Sequence, residues 1–320
     1  MLVELGWLLV GLVLIALGAD SLVRALAGLA LRAGAGAFAV GLVVAGFGTS
    51  LPELSVGAMA LGQGARELAL GNVVGSNLAN LGLVLSGAAL AAPLAIAMRW
   101  LRVALPALIA APLVLIGLGF DGTLGRIDGV VLLVLFAALL VYTLRAARAE
   151  PAPVQAELAT AAVTQTDLLR NLLRLALGLV ALWYGADFTV ESARDIARLA
   201  GWSELVTGLT VLAVGNALPE LGAAIFAARR GLGNLVAGAV VGTSLVNALL
   251  VVGAGAVWMG LPVAASLIRF ELPATLAFAL VLYPMIRGDA VVSRREAGVL
   301  LAAFVLLLGW QLWQVARVVP

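Results

Sequence analysis

GFGTSLPEL, residues 46–54, lies inside a long apolar run, and AVGNALPEL, residues 213–221, repeats its pattern further along the chain. Each places a proline and a glutamate in the middle of a segment apolar enough to cross a membrane. Pro52 has no N–H to donate, and its ring crowds the carbonyl of Gly48; Pro219 stands in the same relation to Gly215. A carbonyl released in lipid is costly, so it must face protein, water or an ion. Both segments are therefore expected to be discontinuous membrane helices. Matching interruptions in two halves of a chain point to a transporter binding site near the bilayer midplane.

The surrounding composition supports a membrane setting. Of 320 residues, 63% are hydrophobic and 11% charged, against about half and a quarter in a soluble domain. Ten spans are expected, near 3–23, 38–62, 68–91, 100–120, 125–145, 168–192, 204–228, 232–258, 269–286 and 295–316. The first lacks a basic start and a small-residue cleavage site, and reads as a retained helix instead of a signal peptide. Residues 146–167, polar and carrying two prolines, read as a linker.

On either side of that linker the sequence repeats. A shift of 167 brings LGAD at 17–20 onto YGAD at 184–187, LPEL at 51–54 onto LPEL at 218–221, and VVGSNLAN at 73–80 onto VVGTSLVN at 240–247. The expected organisation is a first five-helix repeat over 1–145, a cytoplasmic linker over 146–167, and a second repeat over 168–320. Five spans per half is an odd number, so the second half enters the membrane from the opposite side. Every basic residue is Arg, thirteen of them in odd-numbered connections and five in even-numbered ones. That excess marks the odd connections and the linker as cytoplasmic and both termini as extracytoplasmic. A multi-pass protein of the cell (inner) membrane is expected, with lipid and inorganic cations as its partners.

The chain has no Cys and no His, so a metal ion must be held by oxygen, which suits Ca²⁺, Mg²⁺ or Na⁺. No basic tract with interleaved aromatics suggests nucleic acid. The glycine-rich GNVVGSN at 71–77 lacks the lysine of a phosphate-binding loop, and close helix packing is the simpler reading. Asp20 and Asp187 match across the repeat but fall at expected helix ends, where interfacial or capping roles suit them.

Glu53 and Glu220 are read as the only carboxylates deep within a span, the remaining acids falling in loops or near helix ends. A carboxylate in the bilayer centre costs several kcal/mol, and it persists when paired, protonated or bound to a cation. No Arg falls deep enough to pair with either. Thr49 lies four residues from Glu53 and Ser50 three, so both share its helix face. Ser76 and Asn80 are four apart, as are Thr243 and Asn247. Two carboxylates with hydroxyl, amide and carbonyl oxygens can supply the roughly six to eight ligands of Ca²⁺.

GTSLPEL followed by GNVVGSNLANLGLVL resembles the first signature repeat of the cation/Ca²⁺ exchanger superfamily, especially its prokaryotic sodium/calcium exchangers. The resemblance covers nearly the whole chain and implies an all-α integral membrane fold: ten helices in two inverted five-helix repeats, with discontinuous core helices. It implies that spans two, three, seven and eight surround the ions, and that spans one and six slide across them. Carried onto this sequence, the site comprises Thr49, Ser50, Glu53, Ser76 and Asn80 with Asn216, Glu220, Thr243 and Asn247. Backbone carbonyls near Gly46 and Ala213 complete it.

The second repeat departs from the family pattern. Asn216-Ala217 stands where Thr-Ser is usual, and Asn247 where some sodium-coupled relatives carry aspartate. The implied activity is Ca²⁺/Na⁺ antiport, with Ca²⁺/H⁺ antiport as the alternative. An enzyme is not expected, nor is a cofactor beyond the transported ions. A channel fits poorly, because carboxylate rings come from symmetric subunits, whereas this chain has one glutamate per half.

Overall fold

The computed structural model describes residues 2–33, 47–97, 99, 101–146, 151–160, 166–287 and 290–318. Their helices are α1 (Leu2–Arg32), α2 (Leu51–Gly62), α3 (Arg66–Ala91), α4 (Leu101–Leu118), α5 (Arg126–Ala146) and α6 (Ala152–Ala159). After these come α7 (Leu168–Ala200), α8 (Glu204–Arg229), α9 (Gly233–Met259), α10 (Leu267–Met285) and α11 (Arg294–Val318). Eight of them are long and apolar enough to cross a membrane, and residues 104–118 form a shorter apolar helix. The segment 38–62 expected as the second span is described only from Phe47 onward.

The helix ends follow local chemistry. Asp167 accepts from Arg170 N at 2.8 Å and opens α7. Gly201, at φ 68°, closes it in the left-handed conformation that glycine adopts without strain. Two residues on, Ser203 accepts from Val206 N at 3.2 Å and opens α8.

Burial separates core from rim. In α3 and α9, 83% of the spanning window is buried, against 11% in α5 and 22% in α11. The last two present their apolar side chains outward, as lipid-facing helices do. Lipid supplies no hydrophobic drive between helices, so close van der Waals approach must hold the core together. A Cβ at Gly71 would stand 2.5 Å from Leu205 O, and one at Gly75 2.6 Å from Leu209 O. The glycines of GNVVGSN thus let α3 lie backbone-to-backbone on α8, as the packing reading expected. The α1–α7 contact is built the same way, with Gly11 against Gly185 and Gly18 against Gly178.

Several contacts map onto one another under the sequence shift of 167. Shifted in this way, the Gly11–Gly185 contact becomes the Gly178–Gly18 contact. Asn77 Nδ2 donates to Ser244 O at 3.2 Å, and these two residues are themselves 167 apart. The otherwise helical chain also carries two short antiparallel ladders. β1 (Leu94–Ala95) pairs with β4 (Val291–Val292), and β2 (Thr123–Leu124) with β3 (Leu261–Pro262). The shift carries one ladder onto the other to within a residue.

Two expectations are corrected. Pro52 does open a helix: a 3₁₀ turn over Gly48–Ser50 precedes it, and at the start of α2 its missing N–H leaves no bond unmade. Pro219 instead runs inside a continuous helical stretch, Ala213–Arg229. The irregularity of α8 lies upstream, as a π turn over Gly208–Leu212. A Cβ at Gly215, four residues before the proline, would meet the Leu12 side chain of α1, 2.8 Å away.

The 146–167 connection is also more than a polar linker. Within it, α6 buries Val154 and places the Glu157 carboxylate on the start of α9. Glu157 accepts from Asn234 Nδ2 at 2.6 Å and from Leu235 N at 2.8 Å, two donors of the first turn of α9.

Candidate functional site

Four segments place the expected residues around the middle of the core. The 3₁₀ turn and α2 carry Thr49, Ser50 and Glu53; α3 carries Ser76 and Asn80. Across from them, α8 carries Asn216 and Glu220, and α9 carries Thr243 and Asn247. Asn80 begins a π turn over Asn80–Val84, and Asn247 lies in the first residues of another over Val246–Val251. Such single π turns inside α-helices are frequent at functional sites, since they release carbonyls from the helical ladder.

The two halves meet directly. The Thr49 and Thr243 hydroxyls hydrogen-bond each other across 194 residues of chain. Asn216 Nδ2 donates to Asn72 Oδ1 at 3.1 Å, both residues being buried. Glu53 is 1% exposed and faces Ser76; it also lies close enough to Glu220 for the two carboxylates to repel. Among the described residues neither glutamate forms an ion pair, whereas Arg24 pairs with Asp20, Arg194 with Glu204 and Arg198 with Asp195.

Seven buried side-chain oxygens of the expected set make no hydrogen bond. They are Ser50 Oγ, Glu53 Oε2, Ser76 Oγ, Asn80 Oδ1, Asn216 Oδ1, Glu220 Oε1 and Asn247 Oδ1. Buried polar groups are nearly always partnered, and each one left unmade costs about 1–3 kcal/mol. Two carboxylates ringed by neutral oxygens form a donor set suited to a hard cation. Ala217 is buried but brings no side-chain oxygen, and Ala213 lies buried at the end of the π turn of α8. Gly46 falls outside the described residues.

A cleft of about 200 Å³ leads away from these oxygens. Thr49, Glu220 and Thr243 stand at its inner end, and Ala224, Ala227 and Leu235 line it toward the α8–α9 loop, where Arg229 and Arg230 lie. The positions 167 earlier, Gly57, Ala60 and Leu68, are all buried. One hairpin is therefore packed shut where its counterpart is open.

Reading the sequence missed three features of this region. Asn72 holds Asn216 in place, and its spacing gave a signal: Asn72, Ser76 and Asn80 fall at successive intervals of four on one face of α3. The Asn77–Ser244 contact lies at matched positions of the repeat, which alignment alone does not convert into proximity. Asp187 accepts from Gln63 Nε2 at 3.0 Å, joining α7 to the end of α2 instead of capping a helix. Asp20 pairs with Arg24 on the exposed side of α1 at 2.8 Å.

The fold and the buried oxygens define a class, a multi-pass helical membrane protein with a polar centre between its core helices. The chain belongs to the sodium/calcium exchanger protein family, whose pattern matches residues 3–145 and 170–313. It is similar to the sodium-calcium exchanger NCX_Mj, in a structure soaked with Na⁺ and Sr²⁺, at a TM-score of 0.67 and 28% identity. That match covers 96% of this chain and 98% of the other.

Among curated proteins it is 33% identical over 190 residues to the inner membrane protein YrbG of Escherichia coli, covering 56% of this chain and 57% of YrbG. It is 33% identical over 139 residues to the sodium/calcium exchanger MaX1 of Methanosarcina acetivorans, covering 43% of this chain and 40% of MaX1. Curated relatives at this level of similarity are matched over 40–60% of their own lengths.

Proposed function

We propose that this protein is a secondary antiporter that exchanges Ca²⁺ for Na⁺ by alternating access, through a site made by Glu53 and Glu220 with Thr49, Ser50, Ser76, Asn80, Asn216, Thr243 and Asn247. Backbone carbonyls near Gly46 and Ala213 complete the shell. The observation that carries this reading is the set of buried, unbonded oxygens around two neighbouring carboxylates. Two ionised glutamates neutralise one Ca²⁺. The same oxygens can hold sodium ions instead, and competition for one site couples the two fluxes.

Ten spans in two inverted five-helix repeats give this site its geometry. The exchange of contacts under the shift of 167, with Asn77 meeting Ser244, is what a two-fold axis through the core produces. The open cleft beside Glu220 and the packed hairpin beside Glu53 then represent one end of the transport cycle. In the other state the two hairpins trade roles. With both termini extracytoplasmic and the arginine-rich loops inside, the cleft faces the cytoplasm.

The absence of cysteine makes this orientation directly testable, because Ala227→Cys introduces a unique thiol into the cleft. A membrane-impermeant maleimide is expected to label it from the cytoplasmic side of oriented vesicles. Labelling only from the outer side would reverse the topology.

One observation favours Ca²⁺/H⁺ exchange as the second reading: Asn216-Ala217 replaces two hydroxyls by one amide, and Asn247 adds no charge. Radiolabelled calcium flux in vesicles, with sodium and pH gradients imposed separately, distinguishes the two. Sodium-driven uptake is expected. Uptake indifferent to sodium and driven by a pH step would replace sodium by protons in the mechanism. The double change Asn216→Thr, Ala217→Ser restores both hydroxyls and is expected to strengthen sodium dependence several-fold; an unchanged ion preference would remove the second repeat from control of coupling.

A further inference from the structure

A second buried acid lies outside the central oxygens. Glu271 is 5% exposed and ends a π turn over Leu267–Glu271 at the start of α10. It lies near a helix end, as the sequence reading has it, but buried there. Its Oε1 accepts from Gln311 Nε2 at a long 3.4 Å, and its Oε2 has no partner. The carboxylate lines a cavity of about 160 Å³ between α8, α10 and α11. Thr210, Ser266 and Gln311 contribute further oxygens, while Phe270 and Trp310, with ring centroids 5.0 Å apart, stand along one wall.

We propose that Glu271, Gln311, Thr210 and Ser266 form a second cation site that takes one monovalent ion of the sodium class. The charge balance selects the valence. Glu271 is the only charged side chain among the described residues lining the cavity, so a single positive charge neutralises it and a divalent ion leaves an excess. The donor chemistry selects a hard ion, since all four side chains offer oxygen. Gln311 donates its amide to one carboxylate oxygen, which leaves its own carbonyl oxygen free to ligate. Thr210 donates to Val206 O at 2.7 Å, which leaves its lone pairs directed elsewhere. The cavity is several times the roughly 30 Å³ share of one water, so the ion can keep part of its hydration.

The position also links this site to the central one. Thr210 belongs to the π turn of α8, which runs directly into Ala213 and Asn216, and the neighbouring Leu209 carbonyl packs on Gly75 of α3. An ion held by Thr210 on one face of that turn fixes the backbone that presents Asn216 on the other. The site is thus placed to regulate the core without touching the transported ion.

The test uses the full chain carrying Glu53→Gln and Glu220→Gln, which removes both central charges, and measures binding of radiolabelled sodium at about pH 8, well above the ordinary carboxylate range. Saturable sodium binding is expected to persist in that background. Adding Glu271→Gln is expected to weaken it about tenfold or more, and adding Gln311→Leu several-fold. Gln311→Leu leaves the acid in place and decides the matter if Glu271→Gln does not fold. Absence of saturable sodium binding in the central double variant, or binding unaffected by both further changes, would overturn the proposal. Displacement of the sodium by an equal concentration of Ca²⁺ would overturn its assignment to a monovalent ion.

Discussion

Glu53→Gln and Glu220→Gln are each expected to abolish calcium flux while leaving the protein folded. Either change leaves a divalent cation facing one carboxylate at the inner end of the cleft. Breaking a buried charge pairing by removing one partner costs about 3–5 kcal/mol, which corresponds to a loss of roughly a hundredfold or more in affinity. Glutamine keeps the shape and hydrogen-bonding capacity of the side chain, so packing around α2 and α8 is retained. Without ions, the variants are expected to be at least as stable as the parent, because each removes a buried carboxylate whose oxygen has no partner. Calcium uptake by vesicles, paired with thermal unfolding of the purified protein, reads both effects. Parental flux in either variant would remove that glutamate from the ion path.

Gly75→Val is expected to damage the fold itself. A Cβ there would stand 2.6 Å from the Leu209 carbonyl oxygen and 2.7 Å from Ala213 Cβ. Two of the three nearest atoms belong to the backbone of α8, so no side-chain rotation relieves the clash. Overpacking a well-filled interior costs about 1–3 kcal/mol and can cost more where backbone must move. Here α3 has to separate from α8, which carries Asn216 and Glu220 away from Ser76 and Asn80. Loss of the folded monodisperse fraction in detergent is the expected readout, with calcium flux falling in parallel. Val at Gly62, where nothing lies within 4 Å, serves as the comparison and is expected to be tolerated. Equal behaviour of the two variants would mean that α3 and α8 are not in backbone contact.

The parts of this structure legible in the sequence were those that local chemistry writes into short stretches. Proline beside glutamate in an apolar run gave Glu53 and Glu220, and the fixed offset of 167 gave their relation. Spacings of four gave Ser76 with Asn80 and Thr243 with Asn247. Asn72 was within reach by the same rule, one interval earlier on α3.

What stayed hidden depends on contacts between distant segments. The π turns at Asn80 and Val246 leave no trace in the apolar pattern, because α3 and α9 are buried on nearly every side and carry no single apolar face whose phase an extra residue could shift. Pro219 carries the same local signal as Pro52, yet only one of them opens a helix. That difference is set by the turn upstream and by what packs on it. Glu271 reads as an interfacial acid until α11 is laid over it, and Glu157 reads as linker charge until α6 is docked on the start of α9.

The most direct measurement is an experimental density map of the protein loaded with Ca²⁺, with anomalous scattering to identify the ion. One ion is expected between α2 and α8, within about 2.3–2.6 Å of carboxylate oxygens from both Glu53 and Glu220. Calcium bound elsewhere with both carboxylates unliganded, or a pair of acids too far apart to share an ion, would contradict the shared-site mechanism.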